Sequence, residues 1–163
     1  MSLRTGPRIR SAGAGDWPAI DAFHRRCSPR SLHSRWGRRT VRRGVIEHLM
    51  SRCCCWISLD AATGEVTGLA SLGAVFGEPG VVDLGLQVAD DFHRRGVGTA
   101  LTRHAARHGL DRGAHTLTAY TDLANTPGPR SAARPGPHPG DAQAGQVEVR
   151  LPLRHITTPS TPA

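Results

Sequence analysis

Three observations along this chain predict a mixed α/β fold. Short turns join three apolar, strand-like runs between Cys53 and Val88. A helical pattern from Gly98 to His108 then leads into another strand-like run, His115 to Thr121. Ahead of the hairpins lie two amphipathic helical patterns, within Asp16–Arg26 and Thr40–Arg52. Strands joined by tight turns run antiparallel, whereas a strand reached through a helix returns parallel by a right-handed crossover. The expected sheet is antiparallel over strands one to four and parallel between four and five. An irregular Pro/Gly-rich segment and a final edge strand complete it.

Each element has a local reason. Arg8-Ile9-Arg10-Ser11-Ala12 reads as a short first strand, and Gly13 to Gly15 as a turn. Asp16 is a suitable N-cap for a helix through Arg26, with Ile20, Phe23 and Cys27 at core spacing. Ser28-Pro29 ends that helix, and Arg30 to Arg39 is either loop or a short basic helix. Thr40 is expected to cap a helix through Arg52, where Val41, Val45 and Leu49 form a stripe with Ile46 and Met50 beside it. Cys53–Leu59, Val66–Val75 and Val81–Val88 are the hairpin strands, separated by Asp60–Glu65 and Gly77-Glu78-Pro79-Gly80. In the next helix Leu101 and Ala105 face inward. From Asn125 to Gly145 five prolines and four glycines exclude a regular helix or central strand over most of the stretch. Val147–Leu151 alternates again, and Pro152 confines it to an edge or a strand end.

The chain has 163 residues, enough for one domain with a proper core. Expected boundaries are a tail over 1–7, a single domain over 8–154 with 126–145 irregular, and a disordered tail over 155–163. Nothing resembles a signal peptide or a membrane span, so a cytoplasmic protein without membrane contact is expected. The net charge is +8, and the 21 basic residues are all arginine. Nine of them lie between Arg25 and Arg52, where Glu47 is the sole carboxylate. Such a face attracts polyanions. With aromatics at 4% and no helix-turn-helix or zinc-finger signature, nucleic acid is the weaker of the partners weighed. Adjacent residues on a strand point to opposite faces, so Cys53-Cys54-Cys55 cannot offer three ligands to one metal. With Cys27, these cysteines read as small apolar residues of a reducing compartment, and no metal is expected.

The most informative segment is Val81–Val88, Ala89-Asp90-Asp91-Phe92, then His93-Arg94-Arg95-Gly96-Val97-Gly98-Thr99. An apolar strand, a basic turn with two glycines and a helix start form an anion site. The first amides of a helix lack intrahelical acceptors and carry partial positive charge, and glycine lets a phosphate approach. Without lysine there is no ATPase-type phosphate loop. A dinucleotide-binding turn needs a third glycine where Leu101 stands.

The remaining pattern, Gln/Arg-x-x-Gly-x-Gly/Ala, resembles the GNAT superfamily of N-acetyltransferases, of bacterial type, over roughly residues 8–154. Gly96 and Gly98 match and Arg95 is the usual basic residue, while His93 replaces Gln or Arg. The opening Ile9–Leu32, with its run His24–Leu32, is also similar to that family's first helix and substrate-side loop. The resemblance implies acetyl-CoA as acyl donor. His93, Arg94, Arg95, Gly96, Val97, Gly98 and Thr99 would hold its pyrophosphate. The backbone of Leu86, Gln87 and Val88 would meet the pantetheine arm, and Asn125 would touch the cofactor. It further implies a small-molecule or peptide amine as acceptor, with Asp83 as the catalytic base. The family's usual helix after Asn125, with a tyrosine that protonates the leaving thiolate, has no counterpart. The only tyrosine is Tyr120, upstream. The alternatives are an impaired acyl-CoA-binding module or a basic nucleic-acid-associated protein. A homodimer stays open, as does an altered reading frame behind residues 126–145.

Overall fold

The computed structural model describes residues 6–122 and 146–157. A six-stranded sheet has the spatial order β1 to β6 of the sequence. Its strands are β1 (Arg8–Ser11), β2 (Cys54–Leu59), β3 (Val66–Ala74), β4 (Val81–Val88), β5 (Thr116–Asp122) and β6 (Gln146–Pro152). Helices α1 (Trp17–Arg25), α2 (Pro29–Trp36) and α3 (Arg43–Arg52) lie between β1 and β2. Helix α4 (Val97–Asp111) joins β4 to β5, and α5 (Leu153–Thr157) follows β6. Every neighbouring pair is antiparallel except β4–β5, which is parallel, as the hairpins and the helical crossover require. β6 is an edge strand, and Pro152 ends it.

Strand alternation sends two apolar sets to opposite faces. Ile57 and Leu69 join Ile20, Phe23, Leu32 and Ile46 under α1–α3. Trp56, Ala70, Leu72, Leu84 and Leu117 meet Leu101, Ala105 and Leu153 under α4 and α5. Ile20, Phe23 and Cys27 take the core positions that their spacing predicts. The Arg30–Arg39 ambiguity resolves as a helix over Pro29–Trp36. Ser28 Oγ accepts from the Ser31 N–H at 3.2 Å, and Gly37, at φ 66, closes the far end.

Four local expectations change. Thr40 does not cap α3, which starts at Arg43. Val41 is buried in the core, and Arg42 at the N-cap is extended (φ −88, ψ 153), so burial of one side chain delays the helix. Asp16 takes the N-cap position of α1 as expected, but its side chain makes no capping bond there; the carboxylate pairs with Arg10 at 2.7 Å and accepts from the Gly13 N–H at 2.8 Å. It thereby ties β1 to the turn. Cys54 is exposed, unlike Cys55; it shares the Trp56 face of β2 but stands at the start of the strand, where it borders an open concavity. Residues 155–157, expected in a disordered tail, continue α5. Its Leu153 is fully buried against α4.

His24, on α1, is 3% exposed, and neither ring nitrogen has a hydrogen-bond partner among the described residues. The Trp36 ring meets it edge-on at 5.7 Å between centroids. Burial pushes its pKa down to about 4, against the attraction of Asp21 and with the help of Arg35. The unfolded chain therefore binds more protons as pH falls from 6.5 to 4, and stability drops through that window. The loss due to His24 is about 3 kcal/mol. His24→Phe should remove that part of the acid sensitivity and retain or raise stability at pH 7. Urea melts of both proteins at pH 4.5 and 7 check this. Equal acid sensitivity would show that His24 is not the titrating group.

Candidate active site

The site begins where two strands part. β4 and β5 pair from Val81–Thr116 to Leu84–Ala119 and no further. Both continue, β4 to Val88 and β5 to Asp122. On its other side β4 stays paired with β3 as far as Val88–Gly68. The β5-facing backbone groups of Gly85–Val88 thus have no ladder partner along that edge. They line a notch able to accept an extended, amide-bearing chain.

Helix α4 starts at the mouth of this notch. Gly96 is its N-cap in the left-handed region, φ 82, where a side chain would be strained. Arg94 also has a left-handed backbone, φ 58, which costs a non-glycine residue on the order of 1 kcal/mol. The first intrahelical bond runs from the Ala100 N–H to the Gly96 carbonyl at 2.9 Å. The amides of Val97, Gly98 and Thr99 come before it and are the orphan donors of the helix. A Cβ at Gly98 would meet only Leu86 and Val88 methyls, at 3.5 and 3.7 Å. Gly68 on β3 is tighter, since a Cβ there would come within 2.8 Å of Leu101 Cδ1 and 3.1 Å of Val97 Cγ1. This missing side chain sets how closely the first turn of α4 approaches the sheet. His93 Nε2 is 2.9 Å from the Val88 carbonyl, tying the loop to the end of β4. The Arg95 guanidinium lies 4.9 Å from the centre of the Phe92 ring.

Polar groups collect on the opposite face of β4. Asp83, Gly85 and Gln87 point toward α2, as alternation requires. Asp83 is half-buried and accepts from Thr118 Oγ1 of β5 at 2.9 Å. Desolvation raises its pKa above the usual carboxylate value, opposed by Thr118 and by the charge of Arg35. Gln87 is 4% exposed, and its Nε2 donates to Ser31 Oγ of α2 at 2.6 Å. Arg35 reaches from α2 and donates to Ser71 Oγ of β3 at 3.1 Å. Its guanidinium covers Gly85, where a Cβ would overlap it and stand 2.6 Å from Ser71 Oγ.

The residues singled out from sequence fall into two groups. Leu86–Val88 and His93–Thr99 border one opening, and Asp83 lies just before it on the same strand. Asn125 and residues 126–145 lie outside the described residues. Tyr120 is on β5, one residue beyond the last β4–β5 pair, and 54% exposed. Arg35 was legible only as one member of a basic run. Its contact with Ser71 spans 36 residues, and no local pattern signals such a reach. A concavity of about 590 Å³ between His108–Ala114 and Gly73–Val75 is at the other end of the sheet, away from the notch. No helix among the described residues is long and apolar enough to cross a membrane.

Residues 17–130 match the sequence model of a family described as "Acetyltransferase (GNAT) family". No curated protein matches the chain. Among solved structures, the GNAT domain of S. lividans PAT is similar with a TM-score of 0.71 at 15% identity, covering 90% of each chain. The yncA protein of Salmonella typhimurium, solved with its cofactor acetyl-CoA, gives 0.66 at 21%, covering 91% of this chain and 95% of its own. A GNAT superfamily phosphinothricin acetyltransferase from Sinorhizobium meliloti, in complex with acetyl-CoA, gives 0.67 at 16%, covering 91% and 89%. At these identities the likeness is one of fold.

The two glycines under and within α4 should respond differently to a methyl group. Gly68→Ala should cost about 1–3 kcal/mol, because helix side chains and the Gln87 carbonyl at 3.3 Å crowd the new atom. Gly98→Ala meets ordinary contacts and gains up to about 1 kcal/mol in helix propensity. Denaturant midpoints of the two variants measure this. A Gly68→Ala protein as stable as Gly98→Ala would show that α4 is not seated on that glycine.

Proposed function

The chain belongs to the GNAT acetyltransferase family, and from that premise we propose that it moves an acetyl group from acetyl-CoA to an amine. The observation that carries this reading is the notch between β4 and β5 opening onto the orphan amides of α4. The residues present fit such a donor. Oriented N–H groups with positive charge beside them suit a pyrophosphate. Gly98 leaves the approach free, and Arg94 and Arg95 supply charge. The β5-facing backbone of Leu86–Val88, which has no ladder partner on that side, suits the amides of a pantetheine arm. That two of the similar structures were solved with acetyl-CoA supports the same reading.

Acetyl-CoA supplies an activated acyl carbon. The amine must first lose a proton, because an ammonium ion has no lone pair to donate. Asp83 takes that proton, either directly or through one water. Its raised pKa makes it a better base than an exposed carboxylate. The amine nitrogen then bonds to the acyl carbon as the C–S bond breaks, and sulfur leaves with the electron pair. A thiol of ordinary pKa leaves readily as thiolate near neutral pH, so a dedicated acid is not obligatory.

Asp83→Asn should lower kcat by on the order of 100-fold or more near pH 7. The loss should shrink at alkaline pH, where free amine is plentiful, while coenzyme A affinity stays the same. Wild-type activity should rise with pH through the raised pKa of Asp83, and this limb should vanish in the variant. Steady-state rates from pH 5.5 to 9.5 with a panel of amines test this. A folded Asp83→Asn protein with wild-type turnover at pH 7 would remove Asp83 from the mechanism.

A further inference from the structure

We propose that Arg35 is the specificity residue of the acceptor site, and that the acceptor carries a carboxylate close to its reacting amine. The proposal rests on the acetyltransferase reading above. Arg35 has five N–H donors and a fixed charge, yet its one hydrogen bond among the described residues goes to the neutral Ser71 hydroxyl. Asp83 attracts it, but the two form no direct salt bridge, and burial lowers the pKa of Arg35. A purely structural arginine in such a place would close onto the nearby carboxylate, because a half-buried charge left without an anion is costly. Instead the two charges stand apart on one face. Asp83 is held by Thr118 from β5, and Arg35 by Ser71 from β3.

The spacing suits a zwitterion. Arg35 covers Gly85, two residues along β4 from Asp83, or about 6.6 Å along the strand. Leu84, between them, makes the last pair with β5. An acceptor at this point would have its ammonium group beside Asp83 and its anionic group on the guanidinium. A planar carboxylate can take two parallel N–H bonds from arginine, a geometry that lysine cannot reproduce. A second observation agrees. Arg30, Arg38, Arg39 and Arg42, on α2 and the segment after it, are exposed and have no carboxylate partner among the described residues. Their field draws small anions toward the Arg35 end of the sheet. Trp36 stacks against the guanidinium, with Cζ 4.3 Å from the ring centre, which limits its freedom to turn away.

The test uses the full chain, acetyl-CoA and matched acceptor pairs, namely amino acids and their carboxamides. The wild type should prefer the carboxylate member by about 10- to 100-fold in kcat/KM, expressed mostly in KM. Arg35→Met should reduce that preference to within about 2-fold, Arg35→Lys should restore only part of it, and coenzyme A affinity by calorimetry should be unchanged. Gly85→Ala gives an independent route. It keeps the arginine but displaces the guanidinium, and should erase the preference as well. Calorimetric titration of the same pairs into the coenzyme A complex should show the same order of affinity. Equal use of both members by the wild type would overturn the proposal and leave the acetyltransferase reading intact. So would a fall in kcat that is the same for both members in Arg35→Met. If coenzyme A gives no heat and no amine is acetylated, the acetyltransferase reading itself fails, and this proposal fails with it.

Discussion

The parting of β4 from β5 after the Leu84–Ala119 pair is the constraint on which the rest depends. A parallel pair that stayed closed would satisfy its own backbone and leave nothing to bind. Because the crossover through α4 returns the chain parallel to β4, the first turn of the helix lies at the end of the strand where the gap opens. Unpaired strand groups and orphan helix amides therefore face one opening. Gly68 lets α4 sit close on β3, and His93 ties the loop to Val88. The opening is held by packing on both sides.

The two faces of β4 have different tasks. Leu84 and Leu86 pack toward α4, so the edge left without β5 partners stands on an apolar core. Asp83, Gly85 and Gln87 face α2, where Thr118, Ser71, Ser31 and Arg35 make a polar layer inside the fold. Next to that layer, His24 is held neutral by burial among Phe23 and Trp36. In this setting a carboxylate and a guanidinium keep opposite charges a short distance apart. Fully exposed, the same pair would be screened and of little chemical use.

What could be read from the sequence was local. The strand Val81–Val88 and the glycine turn at Gly96 and Gly98 act through their own backbone and immediate neighbours, so spacing alone located them. Hairpin turns and a helical crossover fixed the strand directions for the same reason. Three features were not legible. Val41 delays the start of α3 through burial against distant residues. Leu153 anchors α5 on α4, so that residues 155–157, which composition alone suggested as tail, continue a helix. Arg35 looks like any other member of an arginine run until α2 is laid over β3 and β4. Each depends on contacts between elements far apart in sequence, which neither periodicity nor composition records.

If the notch and the start of α4 together hold coenzyme A, as proposed, amide resonances on both will report it. Coenzyme A titrated into the isotopically labelled full chain should shift the amides of Leu86, Gln87 and Val88 together with those of Arg94 to Thr99, saturating with one dissociation constant. The amides of His108–Ala114, beside the concavity at the other end of the sheet, should stay in place. No shift at millimolar coenzyme A, or shifts confined to that far end, would contradict the account.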